Sequence, residues 1–273
     1  MDDGEVVCTF MVQPALGVAG FVPLITRSRD GGATWDEPAA VWPERQPVES
    51  IFCSLSREPS GNLLLFGTTT PIGTAGESFW CPETQGMKAN DLVWARSTDG
   101  GRTWTPPRSI PMPFPGSAEA AGPLCATRHG RLVACYAPYP TFDPALAVER
   151  NRVAWVASDD DGAAWTGGTM LAFPRRDSGA AEAWVVELSD GRLAGIAWHM
   201  SVVDGTDRPN AYALSADGGR TWSATRSTGL NGQSASLTPL PSGRVACAYN
   251  QRHAPEAGVR MAIAAPTDRD FGV

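Results

Sequence analysis

The sequence predicts an all-β propeller of about five blade-like units, each a four-stranded antiparallel sheet, and three observations predict it. First, one eight-residue turn is written four times: SRDGGATW at 28–35, STDGGRTW at 97–104, SDDDGAAW at 158–165 and SADGGRTW at 215–222. Second, a hairpin phrase recurs between these turns, an alternating run followed by a polar-glycine turn and a β-rich run. Third, helical periodicity is almost absent, while 29 Gly and 23 Pro supply turn residues throughout.

Each element follows in chain order. DDGEVVCTF reads as the second half of a hairpin phrase, and FVPLITRS as the strand that leads into the first repeated turn. FCSLSREPSGNLLLF is a complete hairpin, and DLVWARS leads into the second turn. LCATRHGRLVACY with RVAWVAS, then WVVELSDGRLAGIAW with AYALS, repeat the pattern for the third and fourth units. AEAWVVEL mimics a short helix, but the Asp-Gly-Arg-Leu turn behind it favours a strand. LTPLPSGRVACAY opens a fifth unit, and APTDRDFGV at 265–273 is a degenerate turn lacking both Ser and Trp. The first serines of the four turns fall at 28, 97, 158 and 215, so a unit is roughly 60 residues long. The chain thus starts at strand two of its first unit and stops after strand three of its fifth. Six blades would follow if flanking sequence is missing. The repeat runs through the chain, and residues 1–273 read as a single propeller domain.

Inside the turn each residue type has a folding task. Asp30, Asp99, Asp160 and Asp217 can accept hydrogen bonds from the turn's own amides. The glycines take backbone angles other residues resist. Trp35, Trp104, Trp165 and Trp222 bury large rings against the blade. One or two carboxylates per turn are too few for a metal site, and the repeated turn reads as a structural staple between strands three and four.

Composition narrows the partners. With 22 Lys and Arg against 29 Asp and Glu, the net charge of −7 argues against nucleic acid. No apolar window approaches the ~18 residues of a membrane span, so no membrane insertion is expected. The six cysteines, at 8, 53, 81, 125, 135 and 247, include no CxxC pair and sit mostly in apolar runs, which favours free thiols. Such thiols favour the cytoplasm; export would fit if a leader precedes the sequence. No cofactor or metal is expected.

The motif S-x-D-x-G-x-T-W is the Asp-box, and four copies in hairpin-rich sequence resemble the sialidase (neuraminidase, BNR-repeat) superfamily of β-propellers. The resemblance covers residues 4 to about 265 and is that of a divergent member. Because many non-hydrolytic propellers carry the same box, it speaks for fold more than for activity.

Strand alternation puts the Asp-boxes and the one-to-two turns at one end of the blades. The two-to-three loops and the starts of the first strands are at the other, where a small-molecule or glycan ligand is expected. There the longest loop, TTTPIGTAGESFWCPETQGMKAN, offers Phe79, Trp80 and Glu83 as an apolar wall with one acid. Glu182, in SGAAEAWVVELSDGRL, matches the segment that in sialidases supplies the glutamate polarising a tyrosine nucleophile, with Ala181 where asparagine often stands. A solvated strand-end glutamate is the alternative.

The resemblance also implies an arginine just after this hairpin, one of three that clamp the substrate carboxylate. Trp198 stands there, followed by His199. An indole offers one neutral donor and a stacking face in place of a bidentate cationic fork. No segment matches the first arginine or the nucleophilic tyrosine. The third arginine corresponds to Arg252 or Arg260, and the sequence does not choose between them. His199 and His253 fall in ligand-end loops, where His199 beside Glu182 would suit proton transfer.

Three functions fit these residues. One is a sialidase-like, carbohydrate-active enzyme with altered specificity, not a competent exo-sialidase. It would use Glu182 and His199 for catalysis, Trp184 and Trp198 as an aromatic floor, and Arg252 or Arg260 for a polar group. Glu83, Glu119 or Asp143 would be its second carboxyl group. The second is a non-catalytic propeller binding a glycan or a protein. The third is a propeller recruited for other small-molecule chemistry, such as isomerisation or cyclisation.

Overall fold

A computed structural model describes residues 4–252, 255 and 257–273. It is an all-β, five-blade propeller with antiparallel pairing inside every sheet. Blade 1 holds Val6–Val12, Val22–Ser28 and Ala39–Ala40. Blade 2 holds Glu49–Arg57, Leu63–Pro71, Asp91–Ser97 and Arg108–Ile110. In blade 3 the first strand is broken into Ser117–Glu119 and Cys125–Ala126; Leu132–Tyr139, Arg152–Ser158 and Thr166–Ala172 follow. Blade 4 holds Ser178–Glu187, Leu193–Ser201, Asp207–Ser215 and Arg226–Ser227. Blade 5 holds Gln233–Pro239, Val245–Gln251 and Gly258–Ala264. The ambiguous AEAWVVEL run is strand, paired with Leu193–Ser201.

The Asp-boxes close blades 1 to 4 between strands three and four, and their hydrogen bonds explain the repeat. In blade 2 Ser97 Oγ lies 2.7 Å from Asp99 Oδ1 and accepts the Gly101 N–H at 2.7 Å. Asp99 also accepts the Thr103 N–H at 2.9 Å and the Thr103 hydroxyl at 2.6 Å. Equivalent bonds hold the turns at Asp30, Asp160 and Asp217. Hydrogen bonds from Thr34 and Ser28 lower the Asp30 carboxyl to about 2, so the staple is ionised at any physiological pH. In SDDDGAAW the fourth position is Asp161, held at φ 59° where the other boxes have glycine.

Apolar alternation puts the core between the sheets. Leu64, Phe66, Leu92, Trp94 and Tyr136 fill the space between blades 2 and 3. Val133, Cys135, Val153 and Leu171 do so between blades 3 and 4, and Ile196, Tyr212 and Leu237 between blades 4 and 5. A fully buried Leu or Phe contributes about 1.5–3 kcal/mol, so these inter-sheet layers dominate stability. The box tryptophans of blades 2 to 4 pack into the layer between their own blade and the preceding one: Trp104, Trp165 and Trp222 all do so. Trp35, in the first blade, is 43% exposed. All six cysteines are free thiols, three of them buried.

Candidate functional site

Two backbone irregularities build the site. In a regular antiparallel ladder every second N–H is taken by the neighbouring strand; a bulge releases one and re-aims its side chain. The first strand of blade 4 has such a register shift between Ala181 and Trp184, with Glu182 inside it at φ 51°. The first strand of blade 5 repeats the device between Gln233 and Ser236, with Ser234 at φ 53°. Non-glycine residues rarely adopt this conformation, and both examples sit at matching places on adjacent inner strands.

The released Glu182 N–H donates to Glu119 Oε2 of blade 3 at 2.5 Å. From the other side, the Ser234 hydroxyl donates to Glu182 Oε2 at 2.6 Å. Residues of three consecutive inner strands are thereby joined, Glu119 to Glu182 to Ser234. Burial, reinforced by the nearby Glu182 charge, pushes the Glu119 carboxyl up to about 7 against the opposing Glu182 N–H bond. A carboxyl group with that proton affinity carries a proton for much of the neutral range.

Glu119 and Glu182 face a hollow of about 350 Å³, a size suited to a small ligand. Its lining comes from the starts of the first strands, including Ser50, and from the long loop of blade 2. Phe21 packs on Phe52 and on Phe79, each with ring centroids 5.6 Å apart, and the three rings form an apolar wall. The long loop reaches the site because it folds back as a small hairpin, Trp80–Cys81 against Gly86–Met87. Gly86 is required there: a Cβ would come within 2.5 Å of the Pro140 and Thr141 carbonyl oxygens.

The other expected site residues are dispersed. Trp80 lies edge-on to Tyr139, ring centroids 6.3 Å apart. Burial pushes the Tyr139 phenol up to about 12, and the Arg150 guanidinium covers its ring at 4.1 Å. Glu83 is exposed and accepts from the Cys81 thiol at 3.1 Å, which lowers its pKa. Asp143 caps its own loop through the Ala145 N–H at 2.9 Å. Trp184 lines a separate hollow with strands Val6–Val12 and Glu49–Arg57. Trp198 donates Nε1–H to Asp207 Oδ1 at 2.8 Å, an acceptor it shares with the Gln233 amide.

The expected pairing of Glu182 with His199 is not formed. Strand alternation turns His199 toward blade 3, where it stacks on Phe173 at 4.3 Å, while Ser178 Oγ of its own blade lies 3.2 Å from its ring nitrogen. Desolvation and the neighbouring Arg208 charge lower its pKa, and it lines a different hollow with Arg226. Arg252 and Arg260 are exposed on blade 5 and line none of these hollows. His253 lies outside the described residues. Among the described residues no group of three or more His, Cys, Asp or Glu is placed to hold a metal ion, and no helix is long and apolar enough to cross a membrane.

The model of the BNR repeat-like domain matches residues 19–270. The chain belongs to the BNR repeat-like family. No curated protein matches it by sequence. Among solved structures, this family member is similar to a protein of unknown function from Dyadobacter fermentans, with 23% identity and a TM-score of 0.73, over 95% of this chain and 75% of that one. It is also similar to the NanB sialidase of Streptococcus pneumoniae, with 15% identity and a TM-score of 0.66, over 98% of this chain and 58% of that one. For the intramolecular trans-sialidase of Ruminococcus gnavus, solved with oseltamivir carboxylate, the values are 16% and 0.64, over 97% and 78%. The BNR repeat-like chain thus spans little more than half of the NanB chain. At these identities the likeness concerns the fold.

Proposed function

We propose that this protein is a carbohydrate-active hydrolase whose acid–base pair is Glu119 and Glu182, with a specificity altered from that of sialidases. The observation that carries the reading is the 2.5 Å bond from the Glu182 N–H to Glu119, which holds two carboxyl groups at one hollow. Glycoside hydrolysis needs two such groups in unlike protonation states. Protonated Glu119 gives its proton to the glycosidic oxygen as the bond to the anomeric carbon breaks. The Glu182 carboxyl group, held by the Ser234 hydroxyl, faces the positive charge that develops there; water then adds its hydroxyl to the anomeric carbon and returns its proton to Glu119. The ligand enters from the end opposite the Asp-boxes, against the Phe21, Phe52 and Phe79 rings.

Altered specificity is supported by Trp198. It occupies the position where the resemblance implies a substrate-clamping arginine, and its one donor is taken by Asp207. A non-catalytic glycan-binding propeller is the second reading, favoured by the phenylalanine wall, which suits stacking on a sugar without turnover. The two are separated by assaying the protein and its Glu182→Gln variant against a panel of aryl glycosides. Turnover that disappears in the variant, with Tm changed by no more than about 2 °C, supports the hydrolase. Equal turnover in both proteins, or none in either, removes it.

A further inference from the structure

We propose that the Glu119–Glu182 hollow selects uncharged saccharides and rejects those bearing a carboxylate, so that its substrate class is a neutral glycoside. This rests on the carbohydrate reading above and is carried by a census of the groups that meet the hollow.

Lys88 is the one cationic residue that lines it among the described residues, and it is engaged elsewhere. Its ammonium is ion-paired with Glu77 and donates to the Pro71 carbonyl oxygen at 2.7 Å. Two of the neutral polar side chains are engaged as well, and the Thr68 and Thr70 hydroxyls also line the hollow. The Asn90 amide bonds both ways to the Ala118 backbone, at 3.0 and 2.8 Å. Ser50 Oγ accepts the N–H groups of Gly20 and Phe21 at 3.0 and 2.9 Å.

The carboxyl groups of Glu119 and Glu182 are the ionisable groups that remain, beside the Phe21, Phe52 and Phe79 rings and the two threonine hydroxyls. Carboxylates accept hydrogen bonds and, once ionised, donate none. Their natural complement is a ligand rich in hydroxyl donors, with a C–H face to lie on the rings. A carboxylated sugar would bring its negative charge beside two carboxyl groups where water is partly excluded, and no guanidinium lines the hollow to receive it.

The test is calorimetric binding at pH 7.5 of matched pairs: methyl glucoside against methyl glucuronide, and methyl galactoside against methyl galacturonide, with sialic acid as a third anion. At least one neutral glycoside should bind, and about tenfold or more tighter than its uronide. In the Glu119→Gln/Glu182→Gln variant that ratio should fall to about threefold or less, and each single variant should shrink it. A uronide or sialic acid that binds as tightly as the neutral sugars would overturn the proposal. So would failure of every neutral glycoside to bind, or a ratio unchanged in the variants. Binding is read without turnover, so a protein that binds neutral glycosides and hydrolyses none would sink the hydrolase reading alone.

Discussion

Glu182 gives its backbone N–H to Glu119 across the boundary between blades 3 and 4, while its carboxylate takes the Ser234 hydroxyl from blade 5. The bulge makes both bonds available at once. A regular strand would have spent that N–H on its ladder partner.

Glu119 should therefore make stability pH-dependent. Its carboxyl lies near the ordinary 4.5 when unfolded and near 7 when folded. A raised pKa leaves stability intact below the lower value and erodes it as pH rises through the higher one. Glu119→Gln removes that erosion, so at pH 8 the variant should gain up to roughly 3 kcal/mol over the parent, with no gain at pH 4. Urea melts at the two pH values check this; equal effects at both would refute the assigned cause.

Ser234 should matter to rate more than to fold. Ser234→Gly removes the hydroxyl held against Glu182 and relieves the φ 53° backbone. Turnover of whichever glycoside the protein hydrolyses should drop about tenfold, with Tm unchanged or higher. Full activity in Ser234→Gly would show that the bond does nothing for the reaction.

The Asp-boxes should differ in strength according to their donors. Asp99 accepts the Thr103 hydroxyl and two backbone N–H groups, whereas the blade 3 box has Ala164 where the others have threonine. Asp99→Ala should cost roughly 2 kcal/mol, and Asp160→Ala less, by chemical denaturation. The Thr103 bonds hold Asp99 well below the usual carboxylate range. Its contribution should be full above that range and fade only as strong acid protonates it.

Gly162 is the tightest inter-blade contact of the boxes. An added Cβ would lie 2.1 Å from Trp94 Cζ2, at a backbone φ of 80°. Gly162→Ala should destabilise the protein by about 3 kcal/mol or more. Gly130→Ala, at φ 83° with open space around it, should cost only about 1 kcal/mol. Similar losses at both sites would mean the Trp94 contact is absent.

Much of the fold is legible because it is written in local chemistry. Ser, Asp, Gly and Trp at fixed offsets announce each turn, and the Asp-Gly-Arg-Leu hairpins announce the strands. Glu182 stands out through its segment. Glu119 does not: the sequence offers it only beside Glu83 and Asp143, because its approach to Glu182 depends on a bulge that no composition signals. Phe21 and Phe52 also pass unnoticed, since an apolar residue near a strand end looks the same whether it faces a neighbour or a hollow. His199 is next to Trp198 in sequence, yet alternation sends it to Phe173 on the opposite face. Trp35 is exposed while its three counterparts are partly buried, a difference that the shared motif does not signal.

The most direct test of the central claim is the pH dependence of glycoside turnover in the parent protein and in Glu119→Gln. If Glu119 supplies the proton, the parent rate should fall as pH rises through about 7. Glu119→Gln should lose about a hundredfold or more in rate and lose that alkaline limb. A Glu119→Gln variant that keeps the parent's rate and the same limb would contradict the account.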